Sequence, residues 1–390
     1  MAHSKLPKGV IALGLVSLCM DLSSEMIHSL LPVFLVTVLG ASAMSVGLIE
    51  GVAEATAAVA KVFSGVLSDW IGRRKPLVLL GYGLAALTKP LFPLATGLGT
   101  ILTARFVDRI GKGMRGAPRD ALIADLTPKE QRGAAYGLRQ ALDTVGAFAG
   151  PLVAMALMAA SGDNFRLVFW VAVVPAFLCV LLIVFGVEEP ERPAAAKPAH
   201  LPLQRATLAL LPPRFWWVVA FAAVLTLARF SEAFLLLRAS DLGLAVTWTP
   251  LVLIIMNLVY AASAYPFGHL ADNGSRHHLL AWGIVFLIAA DLLLARAGNL
   301  WWVGGGAALW GLHMGATQGL LAVLVADSAP LELRGTAFGV FNLASGLALL
   351  AASVIAGALW ATLGPALTFY AGAAFSAIAL GGLLFGRRTA

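Results

Sequence analysis

The chain has 390 residues, of which 60% are apolar and only 12% charged, with a formal net charge of +7. Soluble domains run at about 45–50% apolar and about 25% charged, so this composition excludes an ordinary soluble protein and points to lipid. The basic surplus gathers into no patch that would suit nucleic acid, and Cys19 and Cys179 sit in separate apolar runs with no CxxC or Cys/His cluster, so both read as packed thiols.

Taken in chain order, apolar runs long enough to cross a bilayer, about 20 residues, fall at 10–38, 44–67, 76–96, 98–124, 133–160, 166–187, 215–238, 246–270, 278–296, 300–326, 335–361 and 364–386. The first is longer than the apolar core of a signal peptide and has no small-residue exit, so it reads as a span and not a leader. Most connections are short. The exception, Glu188 to Arg214, is rich in Pro, Ala and charge and reads as a linker. The sequence therefore predicts an all-α membrane protein of twelve transmembrane helices: one six-helix bundle over 1–187, a cytoplasmic linker over 188–214 and a second bundle over 215–390.

Lys and Arg set the orientation. With both termini in the cytoplasm, fifteen basic residues lie on the cytoplasmic side and three (Arg166, Arg238, Arg296) on the other, the remaining nine falling within spans.

The halves repeat. Asp125, Pro128, Glu130, Arg132, Gly133 and Gly137 recur as Asp327, Pro330, Glu332, Arg334, Gly335 and Gly339, all 202 positions on. Gly65 and Asp69 recur as Gly268 and Asp272, and Ser24-Glu25 has a looser counterpart in Ser231-Glu232. A parallel repeat of six spans predicts a substrate site near the membrane midplane, at the repeat interface.

Two motifs carry a resemblance. The segment Gly65-Val-Leu-Ser-Asp69-Trp-Ile-Gly72-Arg73-Arg74-Lys75 joins spans two and three. Gly65 permits close helix approach, Gly72 a tight turn, and the basic run anchors the cytoplasmic face. Span five carries Gly137, Gly146 and Gly150-Pro151, with Ala154 following. Over its whole length the sequence resembles the major facilitator superfamily, and in motifs its drug/proton antiporter-type exporters. The resemblance implies that Gly65, Asp69, Gly72, Arg73 and Arg74 form a conformational latch. It also implies that Gly137, Gly146, Gly150 and Pro151 form an antiporter motif, with Ala154 in place of its last glycine, and that Arg105 stands where such antiporters carry a functional arginine.

An ionisable group inside a bilayer costs several kcal/mol unless it faces a partner or a cavity. Asp21, Glu25 and His28 share one face of span one by their i, i+4, i+7 spacing. Span two carries Glu50, Glu54 and Lys61, span four Arg105, Asp108, Arg109, Lys112, Arg115, Arg119 and Asp120, and span five Arg139, Gln140 and Asp143. With Lys89 these make eight cations against seven carboxylates, a near balance that fits a self-neutralising ion-pair network.

Two further readings stand beside that one. Asp21, Glu25 and Glu54 are candidates for proton coupling, with Arg105 as countercharge. His28, Asp108, Arg109, Lys112, Arg115, Arg119 and Gln140 are candidates for substrate binding. The arginines along span four suit carboxylate or phosphate and depart from the neutral span of typical exporters. Asp21, Glu25 and His28 are weak metal candidates, outweighed by ordinary hydrogen bonding. The second half offers Arg229 and Glu232, one turn apart, with Asn257, Tyr260, His313, Gln318 and Asn342 as polar cavity positions.

The expectation is a monomeric, proton-coupled secondary transporter in the plasma membrane, a bacterial inner membrane. It exports a small solute by alternating access, with no cofactor and no catalytic residues. No Gly-x-x-x-x-Gly-Lys-Ser/Thr phosphate cradle is present to hydrolyse ATP. The alternative is a transporter of an anionic solute or metal chelate, in either direction. A membrane-embedded enzyme or sensor would need larger loops than these.

Overall fold

In hydrocarbon every backbone N–H and C=O must be satisfied within the chain, which leaves helices as the economical answer for sequences of this kind. A computed structural model describes residues 6–71, 73–128, 131–189, 208–273, 275–330 and 333–386. Within its helices the side chains at 65–66, 68–71, 132–134, 137, 265, 268, 271–273, 322, 326, 334–335 and 385–386 lie outside the description.

Twelve membrane-length helices follow one another: α1 Lys8–Thr37, α2 Ala43–Ile71, α3 Lys75–Leu94, α4 Leu98–Leu126, α5 Arg132–Ser161, α6 Phe165–Gly186, α7 Pro213–Asp241, α8 Pro250–Asn273, α9 Arg276–Ala295, α10 Leu300–Ser328, α11 Arg334–Leu363 and α12 Pro365–Gly386. Among the described residues, ten are long and apolar enough to cross a membrane. The other two, α2 and α4, reach 29 residues each but carry charge along their length, from Glu50 and Glu54 in one and from Arg105 to Asp125 in the other. All twelve expected spans are therefore present, with ends moved by a few residues.

Three spans are broken, which the sequence reading did not anticipate. α1 ends its first piece at His28 and resumes at Leu31, just before Pro32, whose missing N–H favours a helix start. α3 breaks between Thr88 and Leu91, at Lys89-Pro90. α7 breaks between Ala228 and Ala233 with no proline present; there Arg229 leaves helical geometry (φ −105°, ψ 64°) and the Ser231 hydroxyl accepts from the Ala233 N–H at 3.2 Å. The breaks in α1 and α7 occupy corresponding places in the two halves. Outward-facing Phe185, Val174 and Trp301 are among the most exposed large apolar residues, as lipid contact requires.

The chain forms two compact units, Met1–Leu31 with Thr56–Pro202, and Pro32–Ala55 with Leu203–Ala390. In the first, α1 packs on α5 and α6, and α3 on α4. In the second, α10 packs on α8 and α9, α9 on α12, and α7 on α11 and α12. The second unit includes the opening half of α2. An added Cβ at Gly47 would fall 2.2 Å from the Ser353 carbonyl oxygen, and one at Gly357 2.7 Å from that of Ala43, so α2 and α11 approach at backbone distance there.

The repeat extends to element lengths. α4 and α10 cover 98–126 and 300–328, and α5 and α11 cover 132–161 and 334–363, each pair 202 positions apart at both ends. It also extends to contacts. Arg74 Nε donates to Asp125 Oδ2 at 2.8 Å, and Arg276 Nη1 donates to Asp327 Oδ2 at the same distance. At the head of α3, Glu189 also accepts from the backbone N–H groups of Arg74 and Lys75, and Lys75 Nζ donates to the Val184 carbonyl at 3.1 Å.

Burial should separate the two repeated pairs. Arg74 and Asp125 are 14% and 23% exposed, Arg276 and Asp327 44% and 48%. Exposed pairs are typically worth about 0.2–1 kcal/mol. A double-mutant cycle by thermal unfolding in detergent should give the larger coupling for Arg74–Asp125; equal couplings would contradict the burial argument.

Candidate functional site

The first unit concentrates its chemistry where α1, α3, α4 and α5 meet. Small residues make that meeting possible. An added Cβ at Gly146 would lie 2.6 Å from the Leu18 carbonyl oxygen and 3.1 Å from Asp21 Cβ; at Gly150 it would lie 2.6 Å from Glu25 Cβ. The span-five glycines thus let α5 slide against the acidic face of α1. Gly81 and Gly111 do the same for α3 and α4, an added Cβ at Gly111 falling 2.4 Å from the Gly81 carbonyl oxygen. Of the other expected motif positions, Gly72 lies outside the described residues, as do the side chains at Gly65, Asp69 and Gly137. Pro151 sits inside the unbroken α5, and Arg73 is exposed.

α4 supplies most of the charge. Asp108 is buried and pairs with Lys89 at 3.1 Å; Lys89, 2% exposed at the α3 break, also donates to Ser24 Oγ at 3.1 Å. Arg105, Arg109 and Arg115 act electrostatically on the same carboxylate, and all three are buried. The Arg115 guanidinium lies over the Tyr82 ring, 4.4 Å from its centroid. Arg119 reaches Tyr82 Oη at 3.2 Å, Ser17 Oγ at 3.1 Å and Asp120 Oδ1 at 3.1 Å, with Asp143 Oδ1 at 3.9 Å.

The α1 face completes the cluster. Asp21 borders the α1–α5 contact, its Cβ 3.1 Å from an added Cβ at Gly146, and Asp143, Arg115 and Lys112 act on it electrostatically. Glu25 faces His28 Nδ1 at 3.7 Å, and Lys112 and Arg109 beyond it. Asp143 also accepts from Arg139 Nη1 at 3.2 Å, while Arg139 Nη2 donates to Gln140 Oε1 at 2.6 Å. The structure thus gathers Asp21, Glu25, His28, Asp108, Arg109, Lys112, Arg115 and Arg119 into one network. Among the described residues no three His, Cys, Asp or Glu side chains converge as a metal would need. Glu54 belongs to the second unit, as does buried Glu50.

The second unit is sparer. Arg229 occupies the α7 break with Glu232 as its acidic neighbour and Tyr260 nearby. Tyr260 Oη donates to Gln318 Oε1 at 3.0 Å, joining α8 to α10. Asn257 and Asn342 are half-buried. His313 is fully buried, its Nδ1 2.8 Å from the Gly283 carbonyl oxygen. The sequence reading missed Tyr82, Ser17 and Ser24, whose hydroxyls anchor the cations. It also passed over Asp291, whose visible signal was an acid alone in the apolar run of α9.

A helical membrane protein with two repeated sets of six spans, broken helices at matching places and a buried polar network between helices is a transporter of a small solute. This chain belongs to the Major Facilitator Superfamily, whose profile matches residues 13–348 and again 227–390. It is 33% identical over 390 residues to an uncharacterised MFS-type transporter of Methanocaldococcus jannaschii, covering 96% of this chain and 94% of that one. It is 23% identical over 278 residues to the quinolone resistance protein NorA of Staphylococcus aureus, covering 70% and 69% of the two chains. Among solved structures, the nucleoside transporter NupG superposes with a TM-score of 0.81 at 13% identity, over 96% of this chain and 98% of that one.

Asp108 serves four cations, so it should be the costliest single charge to remove in the first unit. Asp108→Asn is expected to lower stability by about 3–5 kcal/mol, since it leaves buried charge uncompensated. Lys89→Met in that background should restore part of the loss. Thermal unfolding in detergent checks both, and an additive double variant would disprove the pairing.

Proposed function

We propose that the protein is a proton-coupled antiporter that exports a small organic solute by alternating access, seated in a bacterial inner membrane as a monomer with both termini cytoplasmic. The single observation that carries the reading is the close packing of α5, at Gly146 and Gly150, on the face of α1 that bears Asp21 and Glu25. Acidic groups held between packed spans are costly unless they serve a partner or a pathway, and a carboxyl there can take up and release a proton as access alternates. Glu25 and Glu54 act as further proton-coupling groups, with Arg105 as countercharge.

The close approach at Gly146 and Gly150 supports the antiport reading, because it packs α5 onto the helix that bears those acids. Likeness to a protein named for quinolone resistance supports export. In this reading Gly65, Asp69, Gly72, Arg73 and Arg74 form the latch. The substrate contacts are His28, Asp108, Arg109, Lys112, Arg115, Arg119 and Gln140 in the first half. In the second half they are Arg229, Glu232, Asn257, Tyr260, Gln318 and Asn342.

A second reading, transport of an anion or metal chelate, is favoured by one observation. Lys89, Arg105, Arg109 and Arg115 all act on the one carboxylate of Asp108, and arginine forks suit carboxylate and phosphate.

Oriented vesicles with an internal pH dye test both. Asp21→Asn should cut substrate-driven proton movement at least tenfold, and Arg105→Ala should impair it too. Full coupling in Asp21→Asn would refute the proton site. A substrate panel graded in charge, run at several ionic strengths, separates the two substrate classes: salt-sensitive flux of anions alone favours the second.

A further inference from the structure

The repeat places Asp291 where the first half has Lys89, 202 positions earlier. The surrounding geometry is kept. Gly81 packs against Gly111 and Arg115, and Gly283 against His313 and Thr317, which are the same positions one repeat on. The side chains are not kept. Where α4 presents Arg105, Asp108, Arg109, Lys112 and Arg115, α10 presents Ala307, Trp310, Gly311, Met314 and Thr317. The second half has discarded the countercharges and retained one buried acid.

Asp291 is 0% exposed, and neither carboxyl oxygen has a hydrogen-bond partner. Its surroundings are apolar: an added Cβ at Gly372 on α12 would lie 2.7 Å from Oδ2 and 3.0 Å from the edge of the Phe230 ring. Most ionisable groups on the elements packed around α9 have partners of their own. His313 on α10 is bonded through Nδ1 to the Gly283 carbonyl, with Nε2 left without a hydrogen bond. Arg238 on α7 donates to the carbonyls of Leu294 and Ala297 and to Asp241, and Arg296 reaches Tyr370 Oη on α12. Arg229 at the α7 break has Glu232, Tyr260 on α8 bonds Gln318, and Arg276 and Asp327 pair at the opposite end of α9. His277 and His278 also lie at that opposite end, and His269 lies near the end of α8.

We propose that Asp291 is a proton-binding site of the second unit, carried as the neutral acid and able to exchange its proton with water. An isolated carboxylate in such a place would cost far more than protonating it. A bound metal ion would need several oxygen ligands, and the wall of Phe230 and Gly372 offers none. A narrow, mostly apolar crevice bordered by Leu227, Phe230, Ala356, Thr368 and Gly372 shares its Phe230 and Gly372 wall with Asp291. The exchange is simple: the carboxyl O–H gives its proton to water and a carboxylate remains. As a second coupling group its part in transport rests on the proton-coupled reading above; its protonation does not.

Infrared spectroscopy of the purified full chain reads protonation directly. A protonated-carboxyl C=O stretch, shifted in D₂O, should be present in the wild type at neutral pH and lost in Asp291→Asn. Gly372→Ala, whose added methyl presses on Oδ2, should move the frequency of that same band, which keeps the test open if Asp291→Asn does not fold. In vesicles, Asp291→Asn should displace the pH profile of flux and lower the protons moved per substrate. Identical carboxyl bands in the wild type and Asp291→Asn, or a band untouched by Gly372→Ala, would overturn the assignment. Wild-type flux indifferent to a pH gradient would instead sink the coupling reading and leave the infrared result standing.

Discussion

A charge placed among lipid-facing helices must find its counterpart inside the protein, and the first unit is built around that demand. Asp108 is the hub. It neutralises Lys89 directly and lies among Arg105, Arg109 and Arg115. The hub fixes the spacing of α3 and α4, which Gly81 and Gly111 then allow to close to backbone contact. Tyr82 holds Arg115 against its ring and adds one more cation, Arg119, through its hydroxyl. A network of this kind gives little net stability over an apolar core, but losing one member is costly.

The second half shows what the same framework does without the charges. Helix lengths, the Arg–Asp tie at the helix ends and the glycine contact on the third helix of each half persist, 202 positions apart. What changes is the filling. Trp310 replaces Asp108, and an aromatic group of Phe230, Phe234, Trp310, Trp360 and Phe369 packs edge to face around the α7 break. Duplicated backbones have thus specialised, one half ionic and the other aromatic.

Much of this was legible in the residues. Span positions follow from apolar run length, because the bilayer imposes it, and the repeat was visible from Asp125 and Asp327 onward. Gly146 and Gly150 were readable as a packing surface because only the absence of a side chain permits such an approach. Partner choice was not readable. Lys89 and Asp108 are joined by the crossing of two helices, and no periodicity reports which turn faces which. The α7 break escaped because no proline marks it. Asp291 was visible but looked incidental, since a lone acid gains meaning only once its neighbours are known to be apolar. Glu54 shared a helix face with Glu50 on paper, yet the contact pattern assigns both to the second unit.

The carboxylate of Glu189 holds the first two amides of α3 while Lys75 ties the same helix start to the end of α6. The start of α3 and the end of α6 are therefore fastened to each other, so a chain cut or an affinity tag placed after residue 189 leaves the fastening whole, whereas a cut between α6 and residue 189 severs it.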